Sequence, residues 1–199
     1  MVLIPVTAQE ARKSLLYPGF GIGFGFFYPG DVNDYITREL SGYTQEFGTY
    51  DMLMYLHAQA FLTYKIKSFD VTGLIEGAYA PKFISVDYSS TFKSYAFTRI
   101  SPGVTGNYYL PIGSKRHALY FGGGVQYHFL YFENFSAGNI GFRAQAGLSL
   151  QFKRINLQPH AVFNYINADD ESKRPSFNLN YTGGQIGINV SFHSPVAHR

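Results

Sequence analysis

The sequence predicts an all-β chain, an eight-stranded antiparallel up-and-down transmembrane β-barrel, and three observations lead to it. Apolar side chains recur at every second position in eight segments of strand length. The connections between those segments alternate between tight turns and longer loops. No charged residue falls on the apolar phase of any segment, whereas a soluble barrel needs an exterior rich in Lys and Glu.

The first segment lies within PGFGIGFGFFYPGD (18–31), where Gly19, Gly21, Gly23 and Gly25 alternate with Phe20, Ile22, Phe24 and Phe26. A period of two sends the two sets to opposite faces of a strand. Glycine weakens a strand interior unless another group must approach closely there. The bulky set therefore faces lipid, and the glycines line a narrow lumen. In the second segment (52–66), Met54, Leu56, Ala58, Ala60, Leu62, Tyr64 and Ile66 oppose His57, Gln59, Thr63 and Lys65. The third (70–80) sets Val71, Ile75 and Tyr79 against Thr72 and Glu76, with the phase blurred at Leu74 as it is at Phe61. The fourth (95–110) sets Ile100, Val104, Tyr108 and Leu110 against Arg99, Ser101, Thr105 and Asn107.

In the fifth (118–132), Leu119, Phe121, Val125, Tyr127 and Phe129 oppose Gly122, Gly124, Gln126 and His128. The sixth (140–152) alternates most regularly: Phe142, Ala144, Ala146, Leu148, Leu150 and Phe152 against Arg143, Gln145, Gly147, Ser149 and Gln151. The seventh (155–166) opposes Leu157, Ala161, Phe163 and Tyr165 to Asn156, Gln158, His160 and Asn164. The last (182–192) opposes Ile186, Ile188, Val190 and Phe192 to Gln185, Gly187, Asn189 and Ser191. Pro102 and Pro159 each remove a ladder hydrogen bond, so bulges or locally broken pairing are expected around them.

Tight turns follow the second, fourth and sixth segments, at Lys67 and Ser68, at 111–116, and at Lys153 and Arg154. Longer connections follow the others, at 29–51, 81–94, 133–139 and 167–178, with 81–94 able to extend its two strands beyond the membrane. Short periplasmic turns and longer extracellular loops are the pattern of a membrane barrel. Tyr28, Tyr64, Tyr79, Tyr108, Tyr131 and Tyr165 sit near segment ends, where aromatic girdles form. The first long loop predicts a helix over 31–42, capped by Asp31, with Val32, Ile36 and Leu40 at helical spacing.

Composition excludes several function classes. Charged residues are only 15% of the 199, net charge is +3, and no long basic run offers itself to nucleic acid. Without cysteine there is no disulfide, thiol nucleophile or Cys-based metal site. At the start, Val6 and Ala8 ahead of Gln9 have the pattern of a signal-peptidase site, so 1–8 reads as a signal-peptide remnant. Residues 9–17 then form a lead-in, 18–192 the barrel and 193–199 a tail.

Eight strands leave an interior just wide enough for side chains, so general diffusion is not expected. Glu76, Arg99, Arg143, His57, His128, His160, Gln126 and Gln145 share the inward phase and predict a polar network in the lumen. Buried charges are ordinarily paired. Three inward imidazoles raise the question of a metal, but no paired spacing such as HExxH supports one, and neither a cofactor nor catalytic residues are assigned. Closing the barrel brings Gly21, Gly23 and Gly25 beside Gly183 and Gly187; with Gly122 and Gly124 they form a bare stretch of lumen wall. Bulky residues from across the lumen, such as Arg99, Tyr109, Tyr120 or Phe132, are expected to fill it.

The stretch SPGVTGNYYLPIGSKRHALYFGGGVQYHF (101–129) resembles a hairpin of the small outer-membrane β-barrel proteins, the group that includes the OmpA transmembrane domain, OmpX and OmpW. There a Tyr-Tyr-Leu-Pro-like turn leads into an aromatic and glycine-alternating strand, matched by 108–111 and 121–124. The last strand, 187–192, resembles the signal read by the barrel-insertion machinery, although seven residues follow Phe192. The resemblance covers about 18–192. It implies the outer membrane of a Gram-negative bacterium and contact with its lipid and lipopolysaccharide. Three functions stay open on that basis: a non-enzymatic structural or surface-interaction barrel, an OmpW-like conduit or binding site for small hydrophobic molecules, and a lipid A-modifying enzyme. For the third, no convincing Ser/His/acid set is visible.

Overall fold

The computed structural model describes residues 16–29, 31–40, 53–85, 92–113, 117–170 and 177–192. The signal remnant at 1–8, the tail at 193–199 and most of the lead-in lie outside them. The described chain runs β1 (Leu16–Tyr28), α1 (Val32–Leu40), β2 (Leu53–Ile66), β3 (Phe69–Ser85), β4 (Phe92–Pro111), β5 (His117–Phe132), β6 (Phe135–Gln151), β7 (Ile155–Tyr165), β8 (Asn167–Asp170), β9 (Phe177–Asn180) and β10 (Thr182–Phe192). Eight of these strands close into a barrel in the order β1-β10-β7-β6-β5-β4-β3-β2, every neighbour antiparallel. Closure leaves no sheet edge, which a bilayer requires because it offers backbone groups no water.

The alternation decides which way each side chain points. Ile22, Met54, Leu56, Ile75, Ile100, Val104, Phe142, Phe163, Ile186 and Ile188 are outward and 46–67% exposed. Tyr28, Tyr79, Tyr131 and Tyr165 stand outward toward the long-loop rim, Tyr64 and Tyr108 toward the other. A wall this apolar over its whole circumference is unfavourable in water and suited to hydrocarbon. Phe61 and Leu74, where the sequence phase is blurred, both turn inward as register partners.

The two prolines interrupt pairing without shifting it. Between β4 and β5 the register runs Ile100↔Phe129 and resumes at Gly103↔Gln126, leaving Pro102 unpaired on that side. Between β6 and β7 it runs Gly147↔His160 and resumes at Leu150↔Leu157, across Pro159. Each proline keeps its pairing with the other neighbour, β3 or β10, so no bulge is needed.

The long-loop end is more ordered than a set of loops. β3 and β4 continue past the wall to Ser85 and Phe92. The loop expected at 133–139 is not there: Glu133 and Asn134 alone turn the chain, with Glu133 at φ 51°, and Phe135 already pairs with Phe132. The loop expected at 167–178 holds strand β8 and the start of its partner β9, which runs on to Asn180. The helix expected at 31–42 spans Val32–Leu40. Asp31 stands at the head of the helix, its carbonyl accepting the Tyr35 amide at 2.9 Å; its carboxylate accepts from the Asn178 amide at 2.8 Å, and the Asp31 amide donates back to the Asn178 carbonyl at 3.1 Å. That exchange ties the helix to β9.

Between helix, hairpin and barrel mouth lies an apolar core of Val32, Ile36, Phe27, Phe97, Phe132, Leu130, Ile166, Phe177, Leu179 and Tyr181. Phe27 stacks on Tyr181 at 4.1 Å and Phe135 on Phe177 at 3.9 Å, while Tyr35 stands edge-on to Phe132, Phe135 and Phe177. Offset and edge contacts of this kind hold the cap to the barrel beyond simple burial.

Candidate functional site

The inward residues below the cap form one connected interior. At its centre Glu76 of β3 accepts hydrogen bonds from Arg99, from Arg143 Nη1 at 2.8 Å and from Gln185 Nε2 at 3.1 Å. Arg99 also lies against the Tyr181 ring, 4.0 Å from its centroid, so the cap's aromatic floor shares its charge. Arg143 Nε donates to Gln145 at 2.9 Å, and Gln145 donates to Asn107 at 2.6 Å. Gln185 also receives the Tyr55 hydroxyl at 2.9 Å and the Asn164 amide at 3.2 Å. Glu76 and Arg99 are wholly buried and Arg143 nearly so, which in an apolar medium requires this pairing.

A second cluster lies nearer the short-turn rim. The Asp70 carboxylate accepts from Asn107 Nδ2 at 2.8 Å and from the Tyr109 hydroxyl, and Gln158 donates to that hydroxyl at 3.1 Å. Lys65, the register partner of Asp70, places its ammonium 4.4 Å from the Tyr109 ring centroid. Asp70 opens the third segment beside a tight turn, where the sequence alternation carries no signal for it. Its pairing with Lys65 was nonetheless implied by the tight turn at Lys67 and Ser68. At the opposite end the Tyr95 hydroxyl donates to Glu39 at 3.0 Å, and burial together with that carboxylate pushes the phenol above its usual pKa range.

The predicted network residues all face the lumen, but they do not make one network. Gln126 reaches only the Ser101 carbonyl, at 3.5 Å. His128 shares a 2.7 Å hydrogen bond with the Ser101 hydroxyl through Nδ1 and leaves Nε2 without a partner. His160 Nδ1 meets the Gln158 carbonyl at 3.0 Å, and His57 Nδ1 stands 3.8 Å from Glu76. Among the described residues, no group of three or more His, Asp or Glu side chains is placed to hold a metal ion.

The glycine wall is covered differently from the expectation. Each bare position lies directly across from a large residue on the neighbouring strand: Gly19 from Phe61, Gly21 from Gln59, Gly23 from His57, Gly25 from Tyr55. Likewise Gly122 faces Asn107, Gly124 faces Thr105 and Gly147 faces Tyr120. A Cβ on Gly19, Gly23, Gly25, Gly122, Gly124 or Gly147 would run into that partner, and one on Gly21 into Asn189 with Gln59 at 3.0 Å. The space is therefore occupied by neighbours that lie down over the glycines, rather than by Arg99, Tyr109 or Phe132 from across the lumen. Gly183 meets backbone alone, because a Cβ there would run into the Phe26 carbonyl oxygen and sit 2.6 Å from Phe27 Cα. Backbone cannot step aside as a flexible side chain can, so Gly183→Ala is expected to cost about 1–3 kcal/mol. Chemical unfolding in detergent micelles checks this.

A polar cavity of about 20 Å³ persists in the short-turn half, among Gln59, Asp70, Thr105, Tyr109, Arg143 and Gln158. That is room for one or two water molecules. Outside the wall, Phe20, Ile22, Phe24, Leu56, Pro159, Ile186 and Ile188 border an apolar depression whose floor is Gly23 and Gly187. The same two glycines are covered on the inside by His57 and His160.

No protein-family model matches the chain, and no curated protein does. Among solved structures it is similar to Neisserial surface protein A, with a TM-score of 0.62 and 12% identity over 90% of this chain and 96% of that one. It is also similar to Ail, the attachment invasion locus protein of Yersinia pestis, solved with the heparin analogue sucrose octasulfate. There the TM-score is 0.44, with 11% identity over 90% of this chain and 99% of the other. At such identity the likeness concerns the fold: a small eight-stranded barrel of the outer-membrane type, as the apolar wall independently requires.

Proposed function

We propose that this chain is a non-enzymatic barrel of the bacterial outer membrane, with a lumen closed by its own side chains and a structural or surface-interaction role. The observation that carries the reading is the continuity of the interior, from the aromatic cap through the Glu76 centre to the Asp70 cluster, with space for little more than water. A closed interior leaves the loop-side cap and the lipid-facing wall as the surfaces that can meet partners. Lipid and lipopolysaccharide cover the wall. The last strand offers the insertion machinery an outward Phe192, 43% exposed and 6.1 Å from the Phe20 ring at the rim.

Two observations speak against the other readings. Ser101 and His128 form a hydrogen-bonded pair, but both are wholly buried and the free imidazole nitrogen has no carboxylate to orient it. A substrate has no way to reach them. The outer-wall depression could seat a small apolar molecule, yet the glycine backbone and two imidazoles separate it from the lumen. Reconstitution in a planar bilayer is the test. Purified protein is expected to insert without stepwise conductance, and steady single-channel steps would overturn the closed-lumen reading.

A further inference from the structure

His57 on β2 and His160 on β7 are not accounted for by the polar network. Between their strands run β1 and β10, which close the barrel. At this level β1 and β10 present only Gly23 and Gly187 to the interior. The four residues stand in one row, His57↔Gly23, Gly23↔Gly187 and Gly187↔His160. With no side chains on the two middle strands, the imidazoles lie across them from opposite sides. A Cβ on Gly23 would collide with His57 Nε2, and one on Gly187 would lie 3.2 Å from His160 Nε2. Both Nε2 atoms therefore lie over the same pair of adjoining glycines.

The opposite ring nitrogens determine what those atoms offer. His160 Nδ1 faces the Gln158 carbonyl at 3.0 Å, and a carbonyl can only accept, so the proton sits on Nδ1 and Nε2 is a bare lone pair. His57 Nδ1 stands 3.8 Å from the Glu76 carboxylate, outside hydrogen-bond reach, and the Ile186 carbonyl lies near its Nε2; a cation at Nε2 would leave the proton on Nδ1, on the carboxylate side. The residues are only 4% and 6% exposed, and neither Nε2 has a hydrogen-bond partner. A bare His160 Nε2 buried with no donor is a costly arrangement. An oxygen acceptor behind the imidazole, here the Gln158 carbonyl, is also how metal-ligating histidines are oriented and made more basic.

We propose that His57 and His160 form a two-imidazole site for a divalent d-block cation of the zinc class, completed by water or an amide oxygen. Imidazole pairs suit zinc, copper and nickel, whereas calcium and magnesium take oxygen ligands. Gln59 is the next inward residue after His57 on β2; its Oε1 is buried and unpartnered and supplies such an oxygen. The route in is polar. Gln59, Gln158 and Asn189, the inward neighbours of His57, His160 and Gly187 toward the short-turn rim, all line the cavity described above. A bound cation would staple β2 to β7 across the closing seam, so binding must raise the stability of the closed barrel by mass action.

The experiment titrates Zn²⁺ into the full chain, refolded in detergent, and follows the thermal unfolding midpoint. Zinc is expected to raise the midpoint and magnesium to leave it unchanged. The rise is expected to vanish in His57→Gln and in His160→Gln, and to persist in His128→Gln and in the triple variant His117→Asn/His193→Asn/His198→Asn. No rise in the wild type, a rise that survives in His57→Gln/His160→Gln, or a rise lost with the triple variant would each overturn the site. Should the lumen variants fail to fold, ¹⁵N histidine spectra of the wild type decide instead. Unprotonated Nε2 on both rings with zinc-dependent shifts is the expected result. A proton on either Nε2, such as His57 directing one at the nearby Ile186 carbonyl, overturns it.

Discussion

Glu76→Gln lowers the stability of the folded barrel by about 3–5 kcal/mol, the range for removing one partner of a buried ion pair. No other interior substitution here is expected to cost more. Gln keeps the size of the side chain and one acceptor oxygen but loses the charge that holds Arg99 and Arg143 together. Both guanidinium groups then face each other in an interior with room beside Arg143 for only one or two water molecules. With each 1.4 kcal/mol a factor of ten, the unfolding equilibrium constant rises by roughly two to four orders of magnitude. Urea titration in detergent, read by the electrophoretic shift between folded and unfolded bands, measures it.

A second substitution separates charge from packing. Arg143→Met in the Glu76→Gln background removes one of the two unpaired cations, leaving Arg99 against the Tyr181 ring, and keeps an unbranched side chain. Replacing both members of a buried pair by neutral groups is far less damaging than removing one, so the double variant is expected to regain part of the loss. If it is instead worse than Glu76→Gln alone, the hydrogen bonds from Arg143 to Gln145 and onward to Asn107 matter more than the charge balance.

Facing was legible in the sequence because a strand leaves it no freedom: once Phe20, Ile22 and Phe24 are outward, Gly21 and Gly23 are inward. Contacts across the lumen were not, because they depend on register, and register accumulates from turn to turn. Where a turn has two residues, register could be counted, as for Lys65 opposite Asp70 or Gln59 opposite Glu76. The same counting could not be carried from β2 to β1, since the long connection between them fixes no offset. For that reason His57, Tyr55 and Gln59 were not recognised as the side chains that cover the β1 glycines.

The hairpin of β8 and β9 was missed for a different reason. Four residues are too few for periodicity to stand out, and Phe177, Leu179 and Tyr181 alternate on the opposite parity to Ile186, Ile188 and Val190 of β10. The apparent loop at 133–139 misled through composition, because Ser136, Gly138 and Asn139 read as turn residues. Pairing with β5 overrides that preference along its whole length, from Phe132↔Phe135 to His128↔Asn139.

Ile22→Arg tests the lipid-facing assignment itself. Ile22 sits at the middle of β1, is 63% exposed, and is surrounded by Ile188 and Ala58 on the adjoining strands. In water this would be an ordinary surface position, and an arginine there would change stability by about 0.5 kcal/mol or less. At the bilayer midplane the same arginine costs about 2–4 kcal/mol, falling to about 0–1 near the interface. Leu16→Arg, at the short-turn rim and 48% exposed, is the control, since its guanidinium can reach the headgroups. The expected result in lipid vesicles is a large loss for Ile22→Arg and almost none for Leu16→Arg, read as urea midpoints. The depth dependence is what discriminates: equal and small effects would mean that the apolar wall does not face hydrocarbon, and the membrane assignment would fall with it.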